Sequence, residues 1–586
     1  MHQPNYRTVT WPQLSQPWDL LIIGGGITGA GILREAARLG LRTLLVEQRD
    51  FGWGTSSRSS KMVHGGLRYL KDGRVGLTWA SVRERKRLLA EGAGLIDPMG
   101  FLIATYKGDH PGRWIYGAGL TVYDLLALQW GHRRYRTEDF QLLAPHIRHE
   151  GLEGGYRYGD AQTDDARLVL RVIQEAVADG GTALNYVRAE ELLLEGEHVV
   201  GARLRDMVDE RAVEVRARIV VNATGACVDR LRGQMGAAAQ IRPLRGSHLI
   251  FPGWRLPCAQ AITFLHPFDG RPVFIFPWEG ITLVGTTDLD HDQPLSDEPA
   301  ISPEEVAYLM AAVESQCPGL GLILDDVVAT FAGVRPVIRS GKACDPSKES
   351  RDHVVWEEQG LVTVTGGKLT TFRRIAHDVL RVARHHWPDL QPLDAKQPVL
   401  DPVTPDLPGA ESLGDVARRR LLGRYGAAAL ALVTAARPGE LEPIPGTAFL
   451  WAELRWAARA EAVFHLEDLL LRRVRLGLLL PQGGASLLPQ IRSICQQELG
   501  WEDARWEEEE ATYRALWQRC YSLPDRSLVP DWRALLAEAA ARQPAPPSRK
   551  KVWLKRSALF GALVGTGLGA ALAMRRIWRR QRRSRR

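Results

Sequence analysis

The chain has 586 residues, 45% hydrophobic and 25% charged, which are globular values that exclude general disorder. A mean hydropathy of −0.18 excludes a polytopic membrane protein, and 6 cysteines without a C-x-x-C pair argue against a disulfide scaffold or zinc ribbon and suit a reducing cytoplasm. The net charge of +8 belongs to the end of the chain, since residues 542–586 hold 14 Lys and Arg and no Asp or Glu; the body is mildly acidic and shows no sign of a nucleic-acid groove.

Met1 to Trp18 lacks the apolar core of a secretory signal. Asp19-Leu20-Leu21-Ile22-Ile23 predicts a buried strand, and Gly24-Gly25-Gly26-Ile27-Thr28-Gly29 follows it as G-x-G-x-x-G. Apolar residues at helical spacing then run to Leu39-Gly40, and Thr43-Leu44-Leu45-Val46-Glu47 is a second strand ending in an acid. The whole is a β-α-β dinucleotide-binding unit. Gly24 serves the tight turn, Gly26 the approach of backbone N–H groups to a pyrophosphate, and Gly29 close helix–strand packing. Glu47 is placed to bind ribose hydroxyls. The unit alone leaves NAD and FAD open.

The next stretch, Gly54-Thr55-Ser56-Ser57-Arg58-Ser59-Ser60-Lys61-Met62-Val63-His64-Gly65-Gly66-Leu67-Arg68-Tyr69-Leu70, offers hydroxyls and backbone N–H groups to a diphosphate and a flavin edge. From Asp19 through Leu70 the chain resembles the FAD-dependent, quinone-linked glycerol-3-phosphate dehydrogenases. The resemblance continues in order at Thr163-Asp164-Asp165-Ala166-Arg167, Val221-Asn222-Ala223-Thr224-Gly225, Arg245-Gly246-Ser247-His248, Val284-Gly285-Thr286-Thr287-Asp288, Gly333-Val334-Arg335-Pro336 and Gly366-Gly367-Lys368-Leu369-Thr370-Thr371. It implies a glycine-oxidase-like α/β fold over residues 18–395. An FAD-binding Rossmann-like domain would be interleaved there with an antiparallel substrate sheet at about 241–340.

By the same resemblance, FAD contacts fall on Thr55, Ser56, Ser60, His64, Gly65, Gly66, Thr224, Gly225 and Gly367, besides the glycines and Glu47 above. Arg68, Tyr69, Arg351, Lys368 and Thr371 are the substrate-side candidates. His248 is the candidate base, with a free pKa of about 6.5, and Arg335 is its catalytic partner for the forming alkoxide. Arginine suits a phosphate because its fork matches the oxygens. Three departures stand out: Thr28, Arg58 as a cation within the serine run, and Ala226-Cys227 after Ala-Thr-Gly. No metal-ligand cluster is evident.

Five prolines at 392, 398, 402, 405 and 408 read as a linker, and residues 409–522 as an all-helical domain. The tail, 541–586, contains the uncharged segment 558–574, short for a ~30 Å membrane core, with Gly561, Gly565 and Gly569 as a helix-packing stripe. Its cations suit anionic lipid, while the arginine end conflicts with simple insertion from the cytoplasm. A homodimer through the stripe stays open. The expected activity is oxidation of glycerol 3-phosphate with a membrane quinone as acceptor, at the cytoplasmic face of the cell membrane. A peroxide-forming oxidase and an inactive membrane-associated flavoprotein scaffold are the alternatives.

Overall fold

The computed structural model describes residues 6–71, 73–109, 112–128, 130–339, 352–387 and 390–542. Arg351 and the tail from residue 543 on, with its segment 558–574, lie outside them, as does the side chain of Arg68. Among the described residues no helix is long and apolar enough to cross a membrane.

The first apolar run becomes the strand Trp18–Ile23, almost entirely buried. It lies parallel between Thr43–Val46 and Ala212–Asn222, with Leu20 opposite Thr43 and Ile23 opposite Asn222. Leu361–Thr365 extends the parallel set on one side and Thr182–Leu184 on the other. Sheets covered on both faces need apolar residues on both, which explains the unbroken Leu-Leu-Ile-Ile run. Helix Ile27–Arg38 packs against helices Asp165–Ala178 and Phe372–Ala383.

The second sheet is antiparallel apart from one pair, and wider than 241–340. Its strand Ile241–Pro252 sits between Ile281–Gly285 and Ala329–Ile338. Ile96–Tyr106 joins parallel to Ala261–Leu265, and Leu152–Thr163, Arg133–Tyr135 and Met62–Val63 follow. The chain therefore crosses between the sheets repeatedly, and segments before residue 165 belong to both.

Residues 391–408 are no free spacer. Val399 and Leu400 are buried, and their backbone is strapped to the first helix, where Arg38 bonds the Pro398 carbonyl and Arg34 that of Val399. Beyond them the chain is helical, from Asp415–Tyr425 to Trp532–Arg542. One apolar core runs from Phe276, Trp278 and Phe331 of the second sheet into Leu469, Leu476, Trp506 and Trp517.

Charge ties the same regions together. A π-helical turn, Leu469–Arg473, is followed by Arg475 at φ 61°. Across this break in the α period Arg472 and Arg473 converge on one carboxylate while Arg475 turns to another, Asp165. Arg473 pairs with both Asp50 oxygens, at 2.6 and 2.8 Å, and Arg472 adds a bond at 2.6 Å. All three side chains are buried. Burial alone would raise the Asp50 pKa, but the two guanidinium groups bring it down to about 2. The stabilisation is therefore complete above the unfolded value of about 3.9 and is lost as pH falls toward the folded one. Arg473→Met, leaving a buried carboxylate half-paired, is expected to cost about 3–5 kcal/mol in urea unfolding and to move acid unfolding to higher pH.

Candidate functional site

Gly24, Gly26, Glu47, Thr55, Ser56, Thr224, Gly225 and Gly367 line one continuous cleft, and Lys368 lines it too. The cleft is built where the parallel strands stop. A Cβ on Gly29 would stand 1.9 Å from the Gly24 carbonyl oxygen, so the first helix can lie on the strand end only without a side chain there. At the helix start the Ile27 N–H donates to Ser56 Oγ at 3.0 Å, which pins the serine loop over the helix N-terminus, a natural anion site. The Glu47 oxygens accept the N–H groups of Gly25 at 2.8 Å and Arg49 at 2.9 Å. Each keeps a lone pair for a ribose hydroxyl, and burial pushes the Glu47 pKa up.

The remaining residues expected at the cofactor sit differently. Gly65 donates its N–H to Asp160 at 2.9 Å, and Asp160 is itself paired with Arg85. The His64 carbonyl accepts from Thr370 at 3.2 Å. Gly66 lies beside the Tyr69 ring and the Lys368 ammonium. The Ser60 hydroxyl, expected at FAD, stands 2.9 Å from Nε2 of His248. Arg58 does line the cleft, but its guanidinium is paired with Glu298, so the cation is neutralised within the fold. Ala226 and Cys227 line the cleft too.

On the substrate side, the Lys368 ammonium is 3.4 Å from the Tyr69 ring centroid and 3.3 Å from Ser81 Oγ. The Tyr69 ring stacks loosely on His64 at 6.4 Å. Thr371 is buried and bonds the Lys368 carbonyl at 3.3 Å, so it steadies the lysine's backbone. Arg68 begins the short helix Arg68–Lys71.

Sheet register positions the other pair. His248 faces Gly285 on one neighbouring strand and Phe331 on the other, and Arg335 faces Leu244 four residues along. The imidazole is 1% exposed and stacks on Phe331 at 4.5 Å. A Cβ on Gly285 would meet it at 2.1 Å, and one on Gly246 would meet the Arg335 guanidinium at 2.2 Å. Glycine in these two motifs is thus space for two functional side chains. Burial, then the Arg335 and Lys61 charges, push the His248 pKa well below its ordinary value. Arg335 donates to Asp288 and Thr286, both at 2.9 Å. Val334 and Pro336, beside Arg335, line the same cleft as Lys368.

Sequence reasoning assigned no role to Asp288, Asp160 or Asp165. For Asp288 and Asp165 the signals were the acid closing Gly-Thr-Thr-Asp and the Thr-Asp-Asp run, each inside a motif already singled out, whereas Asp160 lies in no such motif.

Two family models match end to end. That of the FAD dependent oxidoreductases covers residues 19–405, and that of the C-terminal domain of alpha-glycerophosphate oxidase covers residues 405–506. Aerobic glycerol-3-phosphate dehydrogenase of Staphylococcus aureus is 33% identical over 485 residues, 78% of this chain and 86% of that one. The crystal structure of the Bacillus halodurans glycerol-3-phosphate dehydrogenase complexed with FAD superposes with a TM-score of 0.71 at 28% identity, over 89% of this chain and 98% of that one. The L-alpha-glycerophosphate oxidase of Mycoplasma pneumoniae with FAD bound shares the fold, with a TM-score of 0.54 at 17% identity over 66% and 99%. A glycine-lined cleft with a strand-end acid fits FAD, and with these likenesses the chain belongs to the family of FAD-dependent glycerol-3-phosphate dehydrogenases.

Proposed function

We propose that the chain oxidises sn-glycerol 3-phosphate to dihydroxyacetone phosphate and delivers the electrons to a membrane quinone. The observation that carries the reading is a buried histidine, its pKa pushed well below the ordinary value, on the strand paired with that of Arg335, whose neighbours Val334 and Pro336 line the same cleft as Lys368.

An alcohol phosphate must be gripped by cations and must lose its hydroxyl proton while the carbinol hydrogen leaves as hydride. Bound FAD supplies the hydride acceptor. Arg335 and Lys368 supply positive charge to the phosphate and to the alkoxide that forms at C2, and Arg68 and Arg351 are further candidates. Asp288 fixes the direction of the Arg335 fork, so little reorganisation is needed when charge develops. His248 is held in its neutral, proton-accepting form by burial and by the Arg335 and Lys61 charges.

The quinone reading rests on an exposed apolar face. Helix Arg113–Ala127 and the residues after it present Trp114 at 70% exposure, Leu128 at 86% and Trp130 at 70%, with Leu125 and Trp79 alongside. Large exposed apolar patches mark interaction sites, and Trp suits a membrane interface. Arg113, Arg133, Arg134 and Arg136 stand near the face in sequence, against the exposed Glu138 and Asp139 and with Arg113 paired to Glu153, and Asp124 is buried against His132. The remaining excess of arginine suits an anionic lipid surface. On the inner side of the same helix the Tyr123 hydroxyl packs against Gly65. The match to a glycerophosphate oxidase C-terminal domain favours a second reading, with oxygen as acceptor.

Glycerol 3-phosphate added without air is expected to bleach the visible flavin bands; full FAD occupancy without bleaching overturns the substrate. Arg335→Ala should slow bleaching at least a hundredfold, about 3 kcal/mol of barrier, with the flavin content unchanged; equal loss of flavin would show a cofactor role instead. Because the His248 pKa is lowered in the free protein, the bleaching rate at substrate well below half-saturation should stay flat as pH falls from about 8 past the free-histidine value of about 6.5, where an ordinary histidine would already have lost half its activity in stopped-flow traces.

For the acceptor, Trp114→Asp with Trp130→Asp should cut quinone reduction in anionic vesicles at least fivefold while anaerobic bleaching stays unchanged. Rapid oxygen consumption with peroxide release and no quinone reduction would decide for the oxidase.

A further inference from the structure

The turn Ser57–Lys61 is held by charge that arrives from two other parts of the chain. Asp165, the first residue of helix Asp165–Ala178, is fully buried. Its carboxylate accepts the Ser59 N–H at 2.9 Å and the Ser59 hydroxyl at 2.7 Å. It also accepts the Lys61 ammonium at 2.8 Å and the Arg475 guanidinium at 3.2 Å. Lys61 and Arg475 each donate as well to the Ser57 carbonyl, at 2.5 and 2.9 Å.

The residues on both sides of Ser60 are thus fixed, and the Ser60 hydroxyl is the one hydrogen-bond partner of the His248 ring among the described residues. Phe331 links the two layers, since it stacks on His248 and takes the Lys61 ammonium against its ring at 4.9 Å. The imidazole is gripped by one face, by one hydroxyl and by the close backbone of Gly285. The direction of the ring is then set by these three contacts.

We propose that Arg475, in the C-terminal helical region, is a positioning residue for the oxidation: with Lys61 it holds Asp165, Asp165 holds the turn, and Ser60 fixes the orientation of His248. The role rests on the glycerol 3-phosphate reading above. It gives the helical region a part in the chemistry that requires no contact with substrate. Removing the Arg475 charge loosens the turn, and the base samples orientations in which its lone pair misses the hydroxyl; substrate binding through Arg335 and Lys368 is untouched. The expected signature is a fall in rate without a matching change in half-saturation.

The test is anaerobic stopped-flow bleaching of the full-length, FAD-loaded protein by glycerol 3-phosphate, in wild type, Arg475→Gln, Ser60→Ala and the double variant. Arg475→Gln should lower the limiting rate at least tenfold and shift half-saturation less than threefold. Ser60→Ala should do the same, and the double variant should be no slower than the slower single one, because both changes act on one link. Arg475→Lys should recover part of the rate.

Multiplying defects in the double variant, or a wild-type rate in Arg475→Gln, overturn the positioning role while wild-type bleaching keeps the substrate reading. A wild type that never bleaches removes both. If Arg475→Gln fails to hold FAD, Arg475→Lys carries the same comparison, and a defect that persists in the Ser60→Ala background overturns the role.

Discussion

Three carboxylates buried under the cofactor loops need cations, and the chain provides them from far away in sequence. Asp50 meets Arg472 and Arg473, Asp164 meets Arg424, and Asp165 meets Lys61 and Arg475. Desolvating such ions costs several kcal/mol each, and only close, multiply bonded pairing repays it. A carboxylate stripped of its partner is far worse than a pair never made. The cofactor loops, the helix after Thr163 and the helical region therefore fold as one body or leave charge stranded. The same logic holds at Arg167 and Glu461, both fully buried and paired at 2.6 Å across 294 residues.

With that anchor in place, backbone pairing decides the chemistry. Strand Ile241–Pro252 carries His248, and its neighbour Ala329–Ile338 carries Arg335. A one-residue slip in either would turn the side chain to the opposite face. The register is protected by apolar burial on one face, where Leu249, Phe251 and Val284 belong to a closed core. Asp288, just beyond the Gly285 strand, then aims the Arg335 guanidinium.

The β-α-β unit was legible in the sequence because every interaction that makes it is local. The turn, the helix start and the acid at the second strand end fall within thirty residues, and each residue type has a physical reason at its place. The second sheet was legible only in part. Strands 241–290 announce themselves by alternation and turns, but Ile96–Tyr106 and Leu152–Thr163 join through pairings that no short window contains. Ser60 illustrates the remaining gap. As a residue type in a serine-rich loop it reads as a phosphate contact, yet its partner lies 188 residues away. The Arg-Arg-Val-Arg run falls inside the stretch read only as an all-helical domain, whereas its partners are up to 423 positions distant. The proline-rich stretch 391–408 carries the composition of a spacer, and only the arginines of the first helix reveal why it is bound.

The electrostatics of the site favour a base that waits for its substrate. His248 is kept neutral by burial and by the cations Arg335 and Lys61. Lys61, pressed down to about 7 by burial and by Arg475 and held up by Asp165 and Asp164, sits where its own charge is balanced. In the proposed reaction the arriving phosphate brings two negative charges toward Arg335 and offsets part of the field that lowers the histidine's proton affinity. At an effective dielectric of about 20, a unit charge some 6 Å away shifts a proton equilibrium by about 2–3 kcal/mol. Proton uptake by His248 becomes easier when the alcohol is bound and stays unfavourable when it is not. Arg335 is thus common to both tasks, gripping the dianion and helping burial hold the base uncharged until the dianion arrives, which couples recognition to proton transfer without any movement of the fold.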